Sequence, residues 1–174
     1  MMVAEAGILV RAPLQTVREA VFDPDSYTRG DTKVGAVEVR ERTADGMVAL
    51  IHGSLGPIRS AILARYTVRG DDVDLLMLRG RLRGFQAVFR MSARDEGTWL
   101  VHREKYEFGY GPLGPLLDRA LRGWAQGTVE AEVAAIRRAS EARAPAPPDH
   151  AANAVGAATA PLSESPASTP DQED

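Results

Sequence analysis

The chain has 174 residues, a formal net charge of −3 and no cysteine, and 44% of its residues are hydrophobic. This length accommodates one domain and not comfortably two, and the composition is that of an ordinary globular protein. The lack of cysteine excludes disulfides, a thiol nucleophile and a thiolate zinc site, and the small net charge does not favour nucleic acid as a partner.

No stretch of the sequence approaches the ~20 apolar residues that a membrane span requires. The first residues, MMVAEAGILV, also lack the basic region of a signal peptide. We therefore expect a cytoplasmic protein without an integral membrane segment.

The end of the chain differs in composition from the rest. Residues 144–174 contain six of the eleven prolines and five acidic residues, with no lysine, arginine or aromatic residue. Such a segment cannot bury enough apolar surface to offset the entropy lost on ordering. The sequence predicts a folded domain over residues 1–142 and a disordered, acidic Ala/Pro-rich tail over residues 143–174.

The folded part begins with a predicted strand over residues 3–11, followed by two short helices. Pro13 suits the first turn of a helix, where its missing N–H costs nothing. The apolar residues after it recur at helical spacing: Leu14, Val17, Ala20 and Val21. Asp23-Pro24 ends this helix, and the same pair can begin a second short helix that runs to Tyr27.

Six further strands are predicted between short turns that contain glycine, proline or aspartate. Turns this short join antiparallel neighbours, because a parallel crossover needs a dozen or more residues. Apolar and polar residues alternate in several of these segments. One face of the sheet is therefore exposed to solvent, and the other must pack against another element. The segments are roughly 33–42, 47–54, 58–69, 73–79, 82–93 and 98–108.

A long amphipathic helix is predicted over residues 116–141, with an apolar stripe that can cover the sheet. Gly123 and Gly127 lie four residues apart inside it, which indicates either close packing of the helix on the sheet or room for a ligand. The result is an α+β fold with a seven-stranded antiparallel sheet. One helix cannot cover a long twisted sheet completely, so we expect a cavity between them. The stripe consists of Leu117, Leu121, Trp124, Val129, Val133 and Ile136.

The order of these elements resembles the SRPBCC or START-like superfamily, in its polyketide cyclase/dehydrase and lipid-transport branch. The similar stretches are APLQTVREAVFDPDSY, KVGAVEVRERTADG, DEGTWLVHREKYEF and GYGPLGPLLDRALRGW, within residues 3–141. The resemblance implies a helix-grip fold, in which a curved antiparallel sheet wraps around the C-terminal helix and encloses a ligand cavity. Its motifs are mostly turn and packing residues and therefore specify fold better than chemistry.

The last predicted strand carries the candidate catalytic residues. Strand alternation places His102, Glu104 and Tyr106 on the face that we expect to point inward. A histidine beside a carboxylate can act as a general acid or base, and Tyr66 can point into the same cavity. The structural interpretation is that Glu104 pairs with an arginine while His102 caps the polar end of the core. Both interpretations stay open at this point.

Three other motifs carry less information about function. Residues 109–114 spell G-x-G-x-x-G, but the helix after them leads into the predicted tail rather than into a second parallel strand, so no nucleotide cofactor is expected. Residues 52–56, HGSLG, resemble a nucleophile elbow but lie between two antiparallel strands. Arg79, Arg81 and Arg83 form a basic edge that is either a solvated turn or a contact for an anionic ligand group.

We predict that the protein binds a small hydrophobic or amphipathic ligand, such as a lipid, a quinone or a polyketide-like compound. The alternative is a cyclase or dehydratase without metal or nucleotide cofactor, in which His102 and Glu104 move protons. The third possibility is a protein-interaction module with a vestigial cavity. The sequence determines neither the ligand nor the oligomeric state. The predicted cavity residues are Ile62, Tyr66, Phe85, Phe89, Leu100, His102, Tyr106 and Trp124.

Overall fold

The computed structural model describes residues 1–23, 28, 33–55, 58–109, 111 and 114–144. Turn residues divide this part of the chain into seven strands and two helices. These are β1 (Met2–Val10), α1 (Leu14–Phe22), β2 (Val34–Thr43), β3 (Gly46–Leu55), β4 (Ile58–Arg69), β5 (Asp72–Arg79), β6 (Gly84–Arg94), β7 (Gly97–Glu107) and α2 (Gly114–Arg143).

The seven strands form one antiparallel sheet in the order β1-β7-β6-β5-β4-β3-β2. Strands β2 to β7 are a meander of consecutive neighbours, and β1 joins the free edge of β7. The predicted α+β helix-grip fold with a seven-stranded antiparallel sheet is therefore confirmed. Of the two short helices expected after the first strand, the first is α1, whereas residues 24–27 of the second lie outside the described residues.

The turn before β7 fixes how closely β1 and β7 approach. Gly97 has a φ of +140°, and a Cβ atom there would lie 2.2 Å from the carbonyl oxygen of Val10. Only glycine adopts this conformation without strain and leaves room for the neighbouring strand. The turn therefore sets the start of the β1–β7 pairing, in which Val10 lies opposite Thr98.

The core lies between one face of the sheet and the helices. Every second residue of β7 from Thr98 to Tyr106 is buried, which follows from the two-residue period of a strand. Helix α2 packs against β1, β7 and α1. It therefore covers one side of the sheet, and the inner faces of the strands farther from β1 form the wall of a cavity.

Helix α2 is four residues longer than predicted, and three residues of its predicted apolar stripe, Val129, Val133 and Ile136, are buried. Close packing on the sheet is the wrong interpretation of its glycines, and neither glycine lines the cavity described below, so room for a ligand stays a prediction. Gly123 and Gly127 are exposed, and among the described residues a Cβ atom at either position would meet no atom outside the helix's own backbone within 4 Å. The packing of α2 gives no reason for these two glycines.

Residues 1–144 form one compact unit, and α2 ends at Arg143. The predicted tail lies almost wholly outside the described residues, so its disorder stays a prediction. Neither helix of the described part is long and apolar enough to cross a membrane.

Candidate functional site

Four ionisable side chains meet inside the domain, and we refer to Lys33, His102, Glu104 and Glu132 as the charged cluster. Strand alternation brings His102 and Glu104 to the same inner face of β7, Glu132 projects from α2, and Lys33 immediately precedes β2. The Lys33 Nζ atom lies 2.5 Å from Glu104 Oε1 and 2.9 Å from Glu132 Oε2. All four side chains are buried or nearly so, with the most exposed, Lys33, at 12%.

Both ring nitrogens of His102 face hydrogen-bond acceptors. Nδ1 lies 3.3 Å from the carbonyl oxygen of Val88, and Nε2 lies 3.3 Å from Glu104 Oε1 and 3.4 Å from Glu132 Oε2. A neutral imidazole has only one N–H and cannot donate on both sides, so this environment favours the doubly protonated ring. Burial alone would lower the pKa of His102, but Glu132 and Glu104 raise it to about 9. His102 is therefore an imidazolium at neutral pH.

The two carboxylates are held in their ionised form. Burial alone would raise the pKa of Glu104 and of Glu132, but Lys33 and His102 hold both values below the ordinary one. The Tyr106 hydroxyl donates a hydrogen bond to Glu104 Oε2, and burial raises its pKa well above the usual value. The cluster thus contains two positive and two negative charges, and Tyr106 stays protonated beside it.

The stacking partner of His102 holds its ring in place. The Phe89 ring lies parallel to the imidazole, with 3.9 Å between the ring centroids and 8° between the planes. Phe89 comes from β6, opposite His102 in the strand pairing. The aromatic face and the Val88 carbonyl together leave the imidazolium one orientation, with Nε2 toward the carboxylates.

The donor set of the cluster includes three residues that could bind a metal ion. Ligand atoms of His102, Glu104 and Glu132 all lie within 4.8 Å of one another. However, the Lys33 ammonium lies between the two carboxylates, in the position that a divalent cation would take. A metal would have to displace Lys33 and deprotonate His102, so these residues fit an internal ion-pair network better than a metal centre. The expectation of no metal stays a prediction.

A cavity of about 80 Å³ opens beside the charged cluster, between the sheet and α2. Lys33, Glu104, Tyr106 and Glu132 form its polar end. The volume corresponds to about two or three water molecules, well below the ~300–1,000 Å³ of sites that bury a drug-sized ligand. A larger ligand therefore requires the lining side chains to move. Apolar lining residues include Val34, Ile51, Ile62, Tyr66, Leu75, Leu82, Phe85 and Trp124.

The predicted site residues divide into two groups. Five of the eight line the cavity, namely Ile62, Tyr66, Phe85, Tyr106 and Trp124. The other three, Phe89, Leu100 and His102, are buried on the inner face of the sheet but do not line it. His102 lies behind the two carboxylates, so Glu104 and not His102 is the member of the predicted pair that faces the cavity. Whether these residues contact a ligand stays a prediction.

Sequence reasoning missed two members of the charged cluster. Glu104 was expected to pair with an arginine, but its partner is Lys33. Glu132 carried a usable signal, because a carboxylate three residues after Val129 and beside Val133 interrupts the apolar stripe of α2. A charged residue in a buried stripe is rare unless it is paired, so this position predicts an internal partner.

No family model matches the chain, and no curated protein matches it. Solved structures do match. A protein of Thermus thermophilus is 16% identical with a TM-score of 0.74, and the match covers 82% of this chain and 99% of that one. The Zhui aromatase/cyclase of a Streptomyces species is 18% identical with a TM-score of 0.71, covering 83% and 96%. A START superfamily protein of Mycobacterium smegmatis is 11% identical with a TM-score of 0.61, covering 82% and 97%.

These likenesses are below 25% identity and therefore concern the fold alone. They agree with the resemblance seen in the sequence. The chain has an SRPBCC/START-like fold, with a helix-grip arrangement of sheet and C-terminal helix.

Proposed function

We propose that this protein binds a small amphipathic molecule between the sheet and α2, with the charged cluster as the polar end of the binding site. The observation that carries this proposal is that Lys33, Glu104, Tyr106 and Glu132 line the same cavity. The opposite walls of the cavity are apolar, with Ile62 and Trp124 among them. An amphipathic ligand matches this division, because its polar groups and its apolar body find separate partners.

The energetic cost of the charged cluster supports a functional role. Taking two ion pairs out of water is expensive, and well-packed hydrophobic residues of similar volume are often as stabilising or more so. Buried ionisable groups with strongly shifted pKa values beside a cavity are therefore candidates for function. The Glu104 and Glu132 carboxylates meet both conditions.

Affinity would come mainly from the apolar walls. Each Å² of apolar ligand surface removed from water contributes about 25 cal/mol, before the cost of association is subtracted. The small volume of the cavity means that binding includes movement of lining side chains. Leu82 and Trp124 are only partly buried and pack against the core from its margin, so they can move with the least loss of packing.

The first test is whether the protein carries or accepts such a ligand. Native mass spectrometry after gentle purification should show a bound small molecule, or a panel of lipids and aromatic compounds should raise the melting temperature. Ile62→Trp, which fills the cavity, should abolish the effect. Leu76→Trp is the matched control, because Leu76 is 46% exposed and does not line the cavity. No bound molecule and no shift with any compound would favour the interaction module instead.

A second candidate function is a cyclase or dehydratase. It is favoured by the Tyr106 hydroxyl and the Glu104 carboxylate, which share a hydrogen bond and both line the cavity. In that case Glu104 exchanges protons with the substrate, and His102 positions it from behind, since an imidazolium cannot act as a base. Three of the matching structures are named as an aromatase/cyclase or as di-domain ARO/CYC proteins.

His102→Ala separates these two functions once its folding has been verified by circular dichroism. A binding protein should keep nearly all of its affinity for the identified ligand, because His102 does not line the cavity. An enzyme should still bind a polyketide-like substrate but lose turnover, because Glu104 loses the group that orients it. Unchanged turnover in the variant would exclude a positioning role for His102.

A further inference from the structure

A second depression adjoins the cavity on its outer side. This groove has a volume of about 780 Å³ and lies between the start of β2, strands β3 and β4, and the residues that follow β5. It shares with the cavity the residues Lys33, Val34, Gly53, Ser54 and Ser60. A ligand that enters the cavity at this boundary therefore has room to extend into the groove.

The groove is basic. Arg59 approaches from the start of β4, and Arg79 and Arg81 from the end of β5 and the residues after it. All three are exposed, and no carboxylate lines the groove among the residues that the structure describes. Three like charges that converge on one depression repel one another unless an anion joins them.

Some arginines of the sheet have a carboxylate partner, and others, these three among them, have none within the described part of the chain. Arg69 pairs with Asp74 at 2.9 Å, and Arg103 with Glu5 at 3.6 Å. Within the described part of the chain, Arg59, Arg79 and Arg81 form no such pair. Their guanidinium groups are thus available to an external anion, and a guanidinium fork suits carboxylate, phosphate and sulfonate oxygens.

The cavity itself disfavours an anion. Its polar end is lined by one ammonium group, that of Lys33, and by two carboxylates, those of Glu104 and Glu132, which would repel a further negative group. A charged ligand would therefore lower its energy by keeping its anionic group outside the cavity. Among the described residues, the arginines of the adjoining groove supply positive charge that no ion pair neutralises.

We infer that the groove is the subsite for the anionic group of the ligand, so that the ligand class is an amphipathic acid. Its apolar body enters the cavity, and its carboxylate, phosphate or sulfonate contacts Arg59, Arg79 and Arg81. This inference rests on the proposed function and adds to it the charge of the ligand and its orientation.

Two fluorescent dyes of the same aromatic framework test it. 1-Anilinonaphthalene-8-sulfonate carries a sulfonate, and N-phenyl-1-naphthylamine is its neutral counterpart. The wild-type protein should bind the sulfonate roughly tenfold more tightly, since an exposed ion pair contributes a factor of about 1.5 to 5 and three are available. This preference should fall as salt is added, because exposed charges are screened.

The triple variant Arg59→Gln/Arg79→Gln/Arg81→Gln should bind both dyes with the affinity of the neutral one. Arg94→Gln is the control, because Arg94 is exposed at the opposite end of β6 and lines neither depression. Inorganic phosphate alone should compete only weakly, because it lacks the apolar body. Complete displacement of the sulfonate dye by phosphate would overturn the amphipathic part of the inference.

Equal affinity of the wild-type protein for the two dyes would overturn the inference and leave the proposed function standing. An equal loss of affinity for both dyes in the triple variant would also overturn the inference, because the arginines would then support the structure of the site rather than bind the anion. If the neutral dye binds neither the wild-type protein nor any variant, the proposed function fails as well. Ile62→Trp should weaken the binding of both dyes, and this result would show that they enter the cavity.

Discussion

The raised pKa of His102 predicts a specific dependence of stability on pH. In the folded protein the pKa of His102 is raised from 6.5 to about 9. Between these values the folded state holds a proton that the unfolded state has released, so stability falls as the pH rises. Below pH 6.5 the contribution is fully present, and above pH 9 it is lost. A shift of this size corresponds to about 3 kcal/mol of unfolding free energy.

The measurement is urea unfolding at pH 6.5, 7.5 and 9 for the wild-type protein and His102→Gln. The wild-type stability should decrease by about 3 kcal/mol over this range relative to the variant, which has no group titrating at this position. His52→Gln is the control for the loss of a histidine, because His52 is a half-buried residue outside the charged cluster. Parallel stability curves for wild type and His102→Gln would refute the reasoning.

A second measurement, on the wild-type protein, tests the same prediction if His102→Gln is too unstable to measure. Removing one charge from a buried pair costs about 3–5 kcal/mol, a large share of the ~5–15 kcal/mol of a typical domain. The ring resonances of His102 in the wild-type protein can be followed by NMR instead. They should remain those of an imidazolium through pH 7.5, and titration near pH 6.5 would contradict the structure of the cluster.

Four further substitutions test other features of the fold. Lys33→Met should lower the free energy of unfolding by about 3–5 kcal/mol at pH 7, because it leaves two buried carboxylates with one cation. The loss, measured by urea unfolding, should be smaller at pH 5, because a carboxylate then takes up a proton. Gly123→Ala and Gly127→Ala should each stabilise the protein by up to about 1 kcal/mol in the same assay, because alanine favours a helix more than glycine does and its methyl group meets open space there. A lower stability would indicate a contact with residues outside the described part. Gly97→Ala should lower the free energy of unfolding by at least about 1–3 kcal/mol, because alanine is strained at a positive φ and its methyl group meets the Val10 carbonyl. An unchanged melting temperature would contradict the turn geometry.

The fold could be predicted because its determinants are local in sequence. Asp45-Gly46 and Asp95-Glu96-Gly97 mark the β2–β3 and β6–β7 turns, and short connections of this kind leave antiparallel pairing as the only option. Strand alternation then placed His102, Glu104 and Tyr106 on the buried face without reference to any other element. These inferences needed only the period of a strand and the chemistry of a turn.

The candidate site could be predicted only in part, because its contacts are distant in sequence. Lys33 is 71 residues from Glu104 and 99 from Glu132, and no local pattern pairs them. The cavity also depends on where α2 lies across the sheet. Leu100 was expected to line it but lies deeper in the core, whereas Leu75, which was not singled out, does line it.

The charged cluster also limits which ligands the proposed site favours. A purely apolar molecule that enters the cavity displaces water from the ion pairs without replacing its hydrogen bonds, and each polar group left unsatisfied costs about 1–3 kcal/mol. Contact with the apolar walls contributes a similar favourable free energy for every ~40–120 Å² of surface buried. The net binding free energy of a small hydrocarbon is therefore small. A molecule with hydroxyl or carbonyl groups at one end replaces those hydrogen bonds at Lys33, Glu104 and Tyr106 and keeps the full benefit of the walls. The energetics of the cluster therefore favour an amphipathic ligand over a purely hydrophobic one.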